Sequence, residues 1–123
     1  MLNSNIRFRV AAITGFLAVA LGAFGAHGLH GLLEKHNAVE IWKTASTYHL
    51  VHAAVLLFVA NMKPVPQVAW GLFLAGIALF SGSLYLLAVT GIHWLGAVTP
   101  VGGIGLLGGW LILVFNPKSK PRD

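Results

Sequence analysis

Six histidines, His27, His30, His36, His49, His52 and His93, hold most of the side-chain chemistry in a chain that has no cysteine. Any metal would therefore need His, Asp or Glu. The stretch YHLVH, residues 48–52, places His49 and His52 three apart. On a helix that spacing puts them on neighbouring parts of one face, displaced by ~4.5 Å along the axis. His27 closes the preceding apolar run, and three imidazoles suffice for Zn or Cu. His27, His49 and His52 are thus the candidate ligands of a metal, and the same cluster is a candidate site for a haem or a quinone. None of the short zinc signatures is present. The competing and commoner role is structural, with His49 and His52 bonded to Tyr48, Ser81, Ser83, Tyr85 or backbone carbonyls and so fixing the register of membrane helices.

Catalytic machinery is not legible. No nucleophile elbow, phosphate-binding loop or pair of intramembrane carboxylates occurs. Glu34 and Glu40 alternate with Lys35 and Lys43 in a polar stretch that reads as a solvated loop. EKHNAVEIWKTA, residues 34–45, reads as a short amphipathic surface helix capped by Asn37, with Trp42 at an interface, roofing the histidines. Thr99-Pro100 allows two geometries, a kink or a helix start with Thr99 as N-cap. A free-amide turn at that point is the best feature for solute transport, which the absence of acidic residues from the spans weakens.

The elements that position these residues follow from composition. With 57% hydrophobic and 9% charged residues, the chain holds more apolar surface than a soluble core of this size can hide. Four apolar segments, about 10–26, 44–62, 68–89 and 95–115, approach the ~20 residues that cross a bilayer. The expected fold is all-α, a single integral membrane domain forming a four-helix bundle. Arg7 and Arg9 before an apolar run ending near Ala23 and Gly25 imitate a signal peptide; with numbering from Met1, the segment is expected to remain as a span. Arg7, Arg9, Lys63, Lys118, Lys120 and Arg122 fall on one side, and Lys35 and Lys43 on the other. By the positive-inside rule both termini are cytoplasmic and 27–43 is an external loop. All six histidines then lie in the external half. The net charge of +5 reads as this orientation signal, with no nucleic-acid partner expected.

Small residues predict where helices meet, because lipid-embedded helices associate through close van der Waals approach. They recur in Ala11, Gly15, Ala18, Gly22 and Gly25, in Gly71, Ala75, Ala78 and Gly82, and in Gly102, Gly105 and Gly109. The second segment offers two rival seams. Ala45, His49, His52, Leu56 and Val59 would turn the histidines inward, and Ser46, Leu50, Ala53, Leu57 and Ala60 would leave them on its flank.

LGAFGAHGL at 21–29, WKTASTYHLVHAAVLL at 42–57, FSGSLYLLAVTG at 80–91 and WLGAVTPVGGIGLLGGW at 94–110 resemble the small bacterial membrane proteins of the family of unknown function numbered 423. The resemblance implies a four-span inner-membrane protein and supplies no activity and no functional residues. The role expected on these grounds is non-enzymatic: a scaffold, assembly factor or accessory subunit in the lipid bilayer, associated with further copies of itself or with a larger membrane protein.

Overall fold

The computed structural model of the chain describes residues 3–116. Their regular elements are all helical, with no strand among the described residues: α1 (Ser4–Ala26), α2 (His30–Lys35), α3 (Val39–Ala60), α4 (Gln67–Thr90), a 3-10 turn (His93–Ala97) and α5 (Thr99–Phe115). Lys118, Lys120 and Arg122, which enter the charge count for orientation, lie outside the described residues. Among the described residues, three helical stretches are long and apolar enough to cross a membrane: Ser4–Ala26, Gln67–Thr90 and His93–Phe115. The long helix α3 is not among them, because its first two-thirds are diluted by Glu40, Lys43, Ser46, Thr47, His49 and His52.

Local chemistry sets the helix ends. The side chain of Asn3 accepts a hydrogen bond from the Ile6 amide, 2.9 Å, so α1 starts ahead of its apolar run. Asn37 adopts a left-handed backbone, φ 52°. It therefore breaks the segment expected as one surface helix, leaving α2 on one side and a direct start of α3 on the other. Asn37 caps neither: Ala38 precedes α3 without a side-chain bond. Gly91, φ 71°, closes α4 in the αL conformation that glycine adopts without a steric penalty. Pro100 sits in the first turn of α5, where its missing N–H costs nothing, so it starts this helix and does not kink it. Thr99 is no N-cap: its hydroxyl bonds that of Ser83 on α4 at 2.6 Å.

The long helices pack in chain order, α1 on α3, α3 on α4 and α4 on α5, and α2 roofs one end by touching α1, α3 and α4. Glycines set the two outer contacts. On α1, Gly22 lies against Ser46, and Gly25 leaves the space that the Trp42 indole fills. Trp42 Nε1–H then donates to the Leu21 carbonyl, 2.9 Å, one turn back from Gly25. On α5, a Cβ at Gly102 would collide with the Phe80 backbone, Gly105 approaches the Gly76 backbone, and Gly109 accepts the face of Phe73. Both pairings run antiparallel.

The α4 seam is a correction. Gly71 and Gly82 meet nothing within 4 Å, and Ala75 and Ala78 are exposed. A helix lying between two neighbours must fill two contact faces. It does so with Trp70, Ile77 and Ser81 in the core shared with α3, and with Phe73, Gly76 and the Phe80 backbone against Gly109, Gly105 and Gly102 of α5. The rival seams of α3 are both used. All of Ala45, His49, His52, Leu56 and Val59 are buried, whereas Ser46 and Ala53 face Gly22 and Gly15 of α1.

Candidate functional site

Because α3 begins at Val39, His49 is its eleventh residue and His52 its fourteenth of 22. They sit near the middle of the helix, deeper than an external-end cluster would. Each is 6% exposed, and their partners account for that burial, since a polar group removed from water needs a hydrogen bond.

His52 is the better determined. Its Nδ1 lies 2.8 Å from the Tyr48 carbonyl one turn back. Its Nε2 lies 3.0 Å from Trp110 Nε1 on α5. A carbonyl only accepts and an indole N–H only donates. The ring is therefore the neutral Nδ1–H tautomer, with its lone pair occupied by Trp110. Phe73 fills the angle between the rings, 5.9 Å from His52 and 5.4 Å from Trp110 by centroids. His52 thus ties α3 to α5, although these helices do not pack directly, and a metal would have to displace the indole to bind it.

His49 points toward α4, where its Nδ1 is 2.9 Å from the Tyr85 hydroxyl, and its ring is also within reach of the Thr14 backbone on α1. Tyr85 packs against Trp42 at 4.6 Å between centroids. Trp42, Tyr85 and His49 therefore join α1, α3 and α4 in one aromatic and polar contact chain. Ser81 adds a second link, donating to the Ala45 carbonyl at 2.8 Å.

The remaining histidines stand apart. His27 caps α1 through its backbone N–H and has an exposed ring. Its neighbour Gly25 lies level with Trp42, two turns or ~10 Å along α3 from His49. The expected convergence of His27, His49 and His52 does not form, and among the described residues no three His, Cys, Asp or Glu side chains gather as a metal would require. His30 pairs with Glu34 at 2.7 Å on the surface of α2. His36 Nδ1–H donates to the Ala88 carbonyl at 3.1 Å, pinning the roof to the end of α4. His93 is exposed.

Sequence reasoning anticipated the Tyr85 and carbonyl partners and missed Trp110. The available signal was chemical: an indole N–H in an apolar helix seeks an acceptor, and His52 is the acceptor at its depth.

Beside this network runs a cleft. The backbones of α1 and α4 do not approach each other closely, so the two helices leave a groove over α3 of about 240 Å³, walled by Leu17, Leu21, Leu74, Ile77, Ala78 and Gly82 and lined at its polar points by Thr14, His49, Ser81 and Tyr85.

Residues 21–103 match the family model described as "Protein of unknown function (DUF423)". The UPF0382 membrane protein YwdK of Bacillus subtilis is 45% identical over 112 residues, 85% of this chain and 89% of the relative. The UPF0382 membrane protein SERP0230 of Staphylococcus epidermidis is 43% identical over 111 residues, 86% and 89% of the two chains. The UPF0382 inner membrane protein YgdD of Escherichia coli K12 is 40% identical over 128 residues, 98% and 95%. No solved structure matches the chain.

Proposed function

Because the chain belongs to the DUF423 family of membrane proteins, we propose that it is a four-span inner-membrane protein with both termini cytoplasmic that acts without enzymatic activity, as a scaffold or accessory subunit docking another membrane protein. The observation that carries the docking role is the unfilled stripe on α4. The small residues of α1 and α5 are used within the chain, whereas Gly71 meets nothing and Ala75, one turn further on, is exposed. Such a stripe suits close approach by a helix from outside the chain.

Helix pairing supports four spans. Contacts of Gly25 with Trp42, Gly22 with Ser46 and Gly15 with Ala53 hold α3 antiparallel along α1, which favours a crossing of α3 beside that of α1. Its low apolar average hides a division of faces: the histidines are buried, while Leu50, Val51 and Phe58 are exposed. Arg7, Arg9 and Lys63 then share one side and Lys35 and Lys43 the other, which by the positive-inside rule makes the first side cytoplasmic.

Orientation is testable without background, since the chain has no cysteine. Asn37→Cys is expected to react with a membrane-impermeant maleimide on intact spheroplasts, and Asn3→Cys only after lysis; the reverse pattern inverts the topology. For docking, a benzophenone amino acid at Ala75 is expected to give a discrete protein adduct on irradiation in the native membrane, against lipid adducts only at Val114 on α5. An adduct of twice the chain's mass identifies a second copy, and a larger one another subunit. Equal behaviour at the two positions would remove the docking role.

A further inference from the structure

The cleft between α1 and α4 carries a binding inference beyond docking. From Leu74 to Tyr85 its α4 wall spans eleven residue steps, ~16 Å along the axis. The wall is smooth because Ala78 and Gly82 project little or nothing into it. Four polar residues reach the cleft, and their protons can be assigned. The Thr14 hydroxyl donates to the Val10 carbonyl at 2.8 Å, and that of Ser81 to the Ala45 carbonyl. His49 and Tyr85 differ. A neutral imidazole and a phenol together own two donors, one N–H and one O–H, and the bond between them consumes one. Whichever tautomer His49 adopts, the pair retains one donor beside the cleft. With the cleft empty the spare donor has only the Thr14 backbone, whose carbonyl also serves the α1 ladder, or on the tyrosine side the Ser46 hydroxyl, within reach, and a ring carbonyl in the cleft would compete with these.

We propose that this cleft binds the ring of a lipid-soluble quinone, with a ring carbonyl accepting the hydrogen bond that the His49–Tyr85 pair has left to give. Three features select this occupant. A volume of about 240 Å³ exceeds the ~150 Å³ that accommodates a benzene ring, so one substituted ring fits, whereas a haem macrocycle or a transmembrane helix does not. The walls are apolar and the mouth opens between two helices long and apolar enough to cross a membrane, so a hydrocarbon tail can leave sideways into lipid. A plain acyl chain would fill the groove but add no acceptor to the Thr14 and Ser46 groups that the donor already has within reach. A metal is disfavoured by the same geometry, since no third ligand joins His49 and the lone pair of His52 is occupied.

The test is equilibrium binding of ubiquinone-2, a short-tailed quinone, to the full chain in nanodiscs, with empty nanodiscs as the partition baseline. The wild type is expected to show a saturable component above that baseline. Gly82→Leu projects into open space, so it fills the cleft without disturbing a contact; it is expected to weaken the component by about tenfold, equivalent to ~1.4 kcal/mol. Ala78→Leu, which narrows the same wall, should do the same and covers failure of the first variant to fold. Decylbenzene, which has a ring and a tail but no carbonyl, should not displace the quinone. Binding no greater than to empty nanodiscs, or unaffected by both leucine variants, overturns the proposal. Equal displacement by decylbenzene overturns it too, reassigning the cleft to hydrocarbon chains. Ala75, the docking probe position, is not among the residues lining the cleft, so the two readings fail separately.

Discussion

Gly102→Ala is expected to destabilise the protein by ~3 kcal/mol, the upper end of the cost of overpacking a well-packed contact. The added methyl would meet the backbone nitrogen and Cα of Phe80 and the carbonyl carbon of Leu79. A flexible side chain can swing away from a new methyl, but backbone in the middle of a helix cannot. Relief therefore requires α4 and α5 to separate, which would also loosen Gly105 from Gly76 and Gly109 from Phe73 along the same seam. Gly71→Ala is the matched control, since a Cβ there meets nothing. It should be neutral or stabilising by up to ~1 kcal/mol through helix propensity. Thermal unfolding in detergent, followed by size-exclusion recovery after heating, separates the two. Equal melting of both variants would mean that the α4–α5 approach is wider than described here.

His52→Leu is expected to cost ~1–3 kcal/mol, the range for stranding a buried hydrogen-bonding group. It removes the acceptor of the Trp110 indole N–H, and hydrocarbon offers no replacement. The Tyr48 carbonyl suffers less, because as a helical carbonyl it keeps its ladder donor. Trp110→Phe removes the other partner, and the two variants together form a cycle that isolates the bond. A coupling of ~0.6 kcal/mol is typical between membrane helices, with an upper limit near ~1.7 kcal/mol. The upper part of that range is expected here, because the tautomer is set from both sides and Phe73 packs against both rings. A coupling near zero would mean that the N–H···N bond is not formed in the membrane. His49→Leu is informative beside it, because it leaves Trp110 paired and isolates the contribution of the Tyr85 contact.

What the sequence determined by itself is what depends on sums and on local spacing. The membrane character of the family was legible because apolar content adds along the chain regardless of how the helices meet. The packing faces of α1 and α5 were legible because a glycine stripe has few uses on a helix with one principal neighbour. YHLVH announced two rings turned away from lipid, a costly surrounding for either, and left open whether they lie on the packing seam or on its flank.

The tertiary structure decided what depends on partners. It chose between the seams of α3 by using both, because α3 has α1 on one side and α4 on the other. It turned the small-residue stripe of α4 outward, because α4 meets α5 through Phe73, Gly76 and the Phe80 backbone set against Gly109, Gly105 and Gly102, and meets α3 through a different set that includes Ser81. It separated α2 from α3 at Asn37 through one positive φ angle and so set the start of α3 and the depth of both histidines. It separated His27 from His49 and His52, because the Trp42–Gly25 contact sets the register of α1 against α3 two turns away from them. The partner of His52, 58 residues along the chain, and the cleft beside His49 belong to the same class. A hydrogen bond between distant helices and a gap between helices whose backbones stay apart are products of register and crossing, which no local pattern of residues encodes.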